Sequence, residues 1–319
     1  MGKDLTKTDW PDRLTAMTVA PLPVDPTISI YFKANIDAIR AALAGVGPDV
    51  PGLARKDLPR HSGMGASMVA NISSAHVPAV CEASLRGDDR PYKNGYDLAK
   101  YHVGSETPDS AGKLREIVDR ALPVPDGKTP ADLYFGAMEL NGTGVYFYGD
   151  ICLVLKTVPD ETTVLASNSY DLVRAPLKNV IEDGHDPDQW PQRRADEALR
   201  MSGSWGDSRD AIAAVKVFSI LGVRPRRLTT GQISDALRVD EDYVEILRLG
   251  SFGTQDLSEA RVSAADAACE AGIADRRRMG PAPPLESQIW RDRRRVAEKE
   301  LRKCAVPVRI VTTTGRVKG

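Results

Sequence analysis

Histidine is scarce in this chain. There are four in 319 residues (His61, His76, His102 and His185), no two of them four residues apart and none within ligand spacing of a cysteine pair. A protein-bound transition metal is therefore not expected. GxSxG is absent as well, which with so few imidazoles removes the usual Ser-His-Asp hydrolase. The four cysteines (Cys81, Cys152, Cys269 and Cys304) form no CxxC, so reduced and mostly buried thiols are expected in place of a disulfide framework or a zinc knuckle. Neither sign of charge is in excess, with 43 Lys and Arg against 44 Asp and Glu, and no global field draws the molecule to nucleic acid or anionic lipid. No apolar run approaches the roughly 20 residues that span a bilayer, and the first residues lack the apolar core of a signal peptide. The expected location is the cytoplasm, with no membrane partner.

What is present is an alternation of helical and strand patterns. Residues 1–27, with prolines at 11, 21, 23 and 26, read as an extended arm. From 28 to 206 the pattern is that of an α+β body. Ile36, Ile39, Leu43 and Val46 recur at helical spacing. "HSGMGASMVANISS" (61–74) is rich in small residues. Its Gly63 and Gly65 invite a phosphate loop, but no strand precedes them and no lysine follows, so close helix packing is expected. "DRPYKNGYDLAKYH" (89–102) mixes Arg90, Lys93 and Lys100 with three tyrosines, a combination that can hold a nucleotide or simply face solvent. Between 133 and 165, "LYFGAMEL" and "VYFYGDICLVLK" flank an Asn-Gly pair and predict a β-hairpin. Its "ICLVL" end is scaffold, and any chemistry belongs to the end with Tyr146, Tyr148 and Asp150. "EDGHDPDQWPQRRADE" (182–197) reads as a connecting loop. From 207 to 319 helices dominate, on 207–222 and 284–303, with a terminal strand over 306–314, and this region is expected to pack on the same core. The fold class is α+β, with a mixed or antiparallel central sheet, flanking helices and a mainly helical C-terminal portion.

Two segments in order, "LVLKTVPDETTVLASNSYDL" and then "DYVEILRLGSF", resemble the ADP-ribosyltransferase-like toxins and effectors over about residues 145–252. In that family a strand leads to a serine-bearing segment, and a later strand carries the key glutamate ahead of a Gly-Ser/Thr-Phe run. Glu245 falls at the glutamate position, followed by Gly250, Ser251 and Phe252. "NSYD" (168–171) stands where the family has Ser-Thr-Ser. The resemblance implies an NAD-consuming transferase or hydrolase, with NAD as substrate, no metal, and Glu245 as the catalytic carboxylate. It also implies a substrate-binding set of Tyr146 or Tyr148 for stacking, Ser169 for the ribose or amide, and Arg90 in the place of the family's first-motif cation. The chemistry suits a glutamate, because leaving of nicotinamide builds positive charge on the ribose.

A different reading treats 228–249 as a helix-turn-helix, with Thr229 or Thr230 as N-cap, Ile233 and Leu237 on one face, and Val244 and Leu247 facing back. Its second helix opens on acidic residues that phosphates repel, so it suits a non-enzymatic regulator that binds protein as well as one that binds nucleic acid. The two readings differ physically. A strand at 241–249 puts Tyr243, Glu245 and Leu247 on one face, whereas a helix aligns Glu241, Glu245 and Arg248. A third signal is the basic stretch 275–303, with ten Lys or Arg against five Asp or Glu. It fits contact with nucleic acid or an acidic protein through 276–303, or a salt-bridged surface helix.

Overall fold

The computed structural model describes residues 35, 38–44, 65–99, 119, 122, 124–169, 202–221, 228–239, 242–280 and 282–312. The proline-rich arm, the 182–197 segment and most of the 28–47 helix lie outside these residues. So does Gly63. Ten strands and six labelled helices follow in the order β1 (Ser67–Ile72), α1 (Val77–Arg86), α2 (Gly95–Ala99), β2 (Leu133–Glu139), β3 (Ile151–Leu155), β4 (Thr163–Leu165), β5 (Ser202–Ser204), α3 (Trp205–Leu221), α4 (Thr230–Leu237), β6 (Arg238–Val239), β7 (Asp242–Tyr243), β8 (Glu245–Leu249), β9 (Leu257–Ser263), α5 (Ala264–Met279), α6 (Leu285–Lys303) and β10 (Val308–Val311).

Eight strands form one mixed sheet in the order β10-β9-β3-β1-β2-β8-β4-β5, and β6 and β7 pair separately. Among the described strands only β9 and β10 run parallel. The protein is thus α+β, and the 207–319 region supplies β8, β9 and β10 to the same sheet as the strands before it. Alternation along the strands sorts the side chains. Met68, Ala70, Ile72, Met138, Leu153, Ile246 and Val262 share one core with Val77 and Val80 of α1, Ile212 and Val217 of α3, Ile233 of α4, and Ala297 and Leu301 of α6. The opposite face holds a smaller apolar group, Val69, Ala137, Val145, Cys152, Val154 and Tyr243. The register Val154↔Val69↔Ala137↔Glu245 puts the glutamate in line with this second face. Among the described residues no helix is long and apolar enough to cross a membrane.

The helix ends follow local rules. Thr229 accepts from the Gln232 N–H while the Gln232 side chain accepts from the Thr229 N–H, which closes a capping box before α4. Ser263 caps α5 by accepting from Ala265 and Asp266 N–H groups.

Three expectations are corrected here. Residues 133–165 are not a hairpin, because β1 lies between β2 and β3 and both pair with it antiparallel. The Asn-Gly pair opens a longer loop, and 146–148 form a short 3-10 turn. The small-residue segment is a central strand over 67–72 in place of a loop, and its Met68, Ala70 and Ile72 face the helices of the main core while Val69 and Asn71 face the other way. The second helix of the helix-turn-helix is absent: after α4 the chain turns into β6, and 245–249 is strand β8 between β2 and β4. β-branched and aromatic residues paired on both sides override the helical spacing there.

Candidate functional site

The sheet splits where β1 meets β2. Their pairing runs only from Ser67↔Glu139 to Val69↔Ala137. Beyond it β1 continues with β3 to Ile72↔Ile151, and the other end of β2 pairs with β8 from Ala137↔Glu245 to Leu133↔Leu249. A cleft of about 310 Å³ opens in the fork. Its lining includes Asn71 of β1, Phe135 and Gly136 of β2, Glu245 of β8, the rings of Tyr148 and Tyr243, and the loop Tyr92–Gly95.

Glu245 is 1% exposed, and its Oε2 accepts the Ser169 backbone N–H at 2.9 Å. A carboxylate set among buried strands is costly unless its hydrogen bonds and surroundings repay the desolvation. The segment 168–169 is what reaches it. Ser169 is itself fully buried, and its hydroxyl has no hydrogen-bond partner among the described residues.

The stretch that opens at Asn141 brings Val145 and Tyr148 to the lining. Asn71 holds it: the carboxamide donates to the Thr143 and Gly149 carbonyls at 2.8 and 3.0 Å and accepts from the Val145 N–H at 2.8 Å. Gly144 sits at φ +66°, and a Cβ there would lie 2.1 Å from the Asn71 Oδ1. At Gly149 a Cβ would meet the Ile72 backbone at 2.1 Å. Glu139 fastens the loop from the other side, accepting from the Leu140 and Gly144 N–H groups and pairing with buried Arg238 at 2.7 Å. The turn so fixed aims Tyr148 at the cleft, where its hydroxyl accepts from Tyr243 at 3.3 Å and the two rings meet edge to face at 6.2 Å. We expect Gly144→Ala to cost about 1–2 kcal/mol from the left-handed backbone alone, with more from the clash. A urea midpoint should fall accordingly, and a neutral result would mean the loop is not held as described.

The 92–95 wall rests on a polar network. Arg90 pairs with Asp97 at 2.9 Å and Asp132 at 2.6 Å, the Tyr134 hydroxyl donates to Asp97 at 2.8 Å, and Asn94 donates to the Ala131 and Leu133 carbonyls. Tyr92 stacks on Phe252 with centroids 4.4 Å apart. Burial works to raise the Asp97 pKa, but hydrogen bonds from Tyr134, Arg90 and Asn94 outweigh it and hold the carboxyl below its usual value. Burial and Asp97 push Tyr134 up to about 12. Asp132 is also lowered, led by the Thr129 N–H. Since both carboxyls are depressed in the folded state, their stabilisation is complete above the unfolded value near 3.8 and is lost as pH falls through the folded values. An acid titration of Asp97→Asn should therefore show a shallower loss of stability below that pH than the parent protein. An unchanged acid limb would contradict the network.

Of the residues singled out in the sequence, Glu245 and Tyr148 line the cleft, while Ser169, fully buried and outside that lining, reaches Glu245 through its backbone N–H. Tyr146 turns away. Its hydroxyl donates to Asp266 at 3.1 Å, and burial followed by that carboxylate raises it to about 12. Arg90 anchors the 92–95 wall and is not among the cleft-lining residues. Asn71 and Phe135 escaped the sequence reading; the one signal for Asn71 was an amide interrupting the apolar run of "SMVANI". Lys93, in the mixed segment at 89–102, supplies a cation to the lining. Among the described residues no group of three or more His, Cys, Asp or Glu is placed to hold a metal.

Comparison with protein-family models, with curated proteins and with solved structures finds no match to this chain. Function must be argued from the cleft itself. A concave site lined by aromatic rings and a few polar groups suits a small organic ligand, and the one carboxylate in its lining, Glu245, suits a ligand on which positive charge resides or develops.

Proposed function

We propose that this protein consumes NAD, cleaving the nicotinamide–ribose bond as a transferase or hydrolase of the ADP-ribosyltransferase-like kind. The observation that carries the reading is Glu245, a buried carboxylate in the lining of a cleft that Tyr148 and Tyr243 also line. When the bond between C1′ and the ring nitrogen breaks, the electron pair leaves with nicotinamide and positive charge spreads over C1′ and the ring oxygen of the ribose. A fixed carboxylate beside that ring stabilises the charge without reorganising. The Ser169 N–H holds the carboxylate in place. Tyr148 offers a face to the planar leaving ring. Lys93 supplies the positive charge that the pyrophosphate requires. A volume of about 310 Å³ accommodates the nicotinamide riboside end, with the rest of the dinucleotide extending past Lys93. A nucleophile, either water or an acceptor group, then bonds to C1′ and gives up its proton.

The test is incubation of the purified protein with NAD labelled in the adenylate half, alone and with cell lysate. Free nicotinamide with free labelled ADP-ribose identifies a hydrolase, and label on macromolecules identifies a transferase. Intact NAD in both incubations removes the proposal. The regulator alternative has lost the second helix of its 228–249 unit, and the arginines of 276–303 raise a separate question.

A further inference from the structure

α6 buries two arginines beside its core residues Ala297 and Leu301 and leaves other apolar side chains in solvent. Toward the protein it buries Arg291 and Arg294, the latter paired with Asp150, Asp266 and Glu270. Toward solvent it presents Leu285, Ile289 and Val296, which are 71%, 41% and 47% exposed. Steps of four and seven residues place these three on one stripe, running about 16 Å along the helix at roughly 1.5 Å per residue. Exposed Arg293, Arg295 and Lys299 flank the stripe. At the adjoining end of α5, Arg276, Arg277 and Arg278 occupy the last turn, followed by Met279 at 89% exposure.

The pairing of these cations is uneven. Arg302 and Lys303 are matched by Glu298 and Glu300 on the same helix. In contrast, the side chains of Arg276, Arg277, Arg278, Arg293, Arg295 and Lys299 make no ion pair or hydrogen bond among the described residues. The salt-bridged reading of the basic stretch therefore describes the end of α6 and the buried Arg294, and leaves the α5–α6 tip and outward face unexplained. Asp292 and Glu286 interrupt that face without reversing its sign.

We propose that the outward face of the α5–α6 hairpin docks peripherally on an anionic lipid surface. Leu285, Ile289, Val296 and Met279 enter the headgroup boundary, and the flanking cations meet acidic headgroups. A helix with an apolar stripe between basic rims lies in the plane of such an interface, and juxtaposed arginines add attraction there. Charge complementarity selects this occupant over others. Nucleic acid uses the arginines but has no use for the apolar stripe, and a second copy of the same face sets arginine against arginine. Absence of a spanning helix among the described residues is compatible with a protein that lies on the bilayer.

The test is co-sedimentation of the full chain with vesicles of phosphatidylcholine alone and of phosphatidylcholine with phosphatidylserine. Two variants accompany it, Arg276→Ala/Arg277→Ala/Arg278→Ala and Leu285→Ser/Ile289→Ser/Val296→Ser, each checked by thermal melting; all six side chains are exposed. Binding to the anionic vesicles only, weakened by salt and by roughly a hundredfold in the arginine variant, and lost in the apolar variant, supports the proposal. Three results overturn it: no binding to either vesicle, vesicle binding that both variants retain, or binding to duplex DNA that needs the arginines but not the apolar stripe. The assay involves no NAD, so its failure and failure of the proposed activity are separate results.

Discussion

Under the proposed activity, Glu245→Gln should lower nicotinamide release by roughly a hundred- to a thousandfold, the usual cost of removing one preorganised electrostatic contact to a transition state, while the protein unfolds at about the same temperature. The substitution keeps the shape of the side chain and leaves an oxygen to accept the Ser169 N–H at 2.9 Å. What it removes is the negative charge that the proposal sets beside C1′. NAD affinity should change little, so the loss falls on kcat and not on KM, as expected for an interaction made mainly in the transition state. A variant that keeps full turnover would assign the carboxylate a structural role in bridging β8 to the 168–169 segment. Loss of turnover together with a collapsed melting temperature would point the same way.

Arg294→Ala destabilises the protein by about 3–5 kcal/mol, the range for stripping one partner from a buried charge cluster. Arg294 is fully buried and faces Asp150 at 3.2 Å, Asp266 at 3.3 Å and Glu270. Its Nη1 also donates to the Asp150 carbonyl, tying α6 to the start of β3. Without the guanidinium three carboxylates face one another at low exposure, and Tyr146 hydrogen-bonds to one of them. Asp266 already titrates above its ordinary value, through burial first and in spite of Arg294. A raised carboxyl favours the folded state when protonated, so its contribution diminishes as pH rises from the unfolded value near 3.8 through the folded one. In the variant that upward shift grows, and acidification should recover part of the lost stability. Urea midpoints across pH read both effects. A loss below 1 kcal/mol with no acid recovery would mean that Arg294 is dispensable to the cluster.

How much of this was legible in the chain depends on whether the information was local. α4 and α6 could be read because caps and helical spacing are written within ten to twenty residues, as with Thr229 and Gln232. The strand at 151–155 was readable from its unbroken apolar run. The hairpin was not, because the insertion of β1 between β2 and β3 is a pairing across more than sixty residues that an Asn-Gly turn signal does not report. The same long-range pairing hid the cleft, which exists because β1 parts from β2 after Val69↔Ala137. Glu245 was singled out by a resemblance in pattern, and Tyr148 by alternation within a strand that proved to be a turn. It reaches the cleft for another reason, the grip of Asn71 on Thr143, Val145 and Gly149. The ambiguity at 241–249 was real, since "DYVEILRL" satisfies both periods, and partner strands on both sides decided it.

The most direct measurement is a hydrogen-exchange map of the Glu245→Gln protein with and without NAD, the substitution being used so that the dinucleotide stays intact. The account predicts added protection confined to 69–71, 92–95, 135–137, 143–149 and 243–245, the segments that enclose the cleft. Protection elsewhere, or a map that NAD leaves unchanged at saturating concentration, would contradict it.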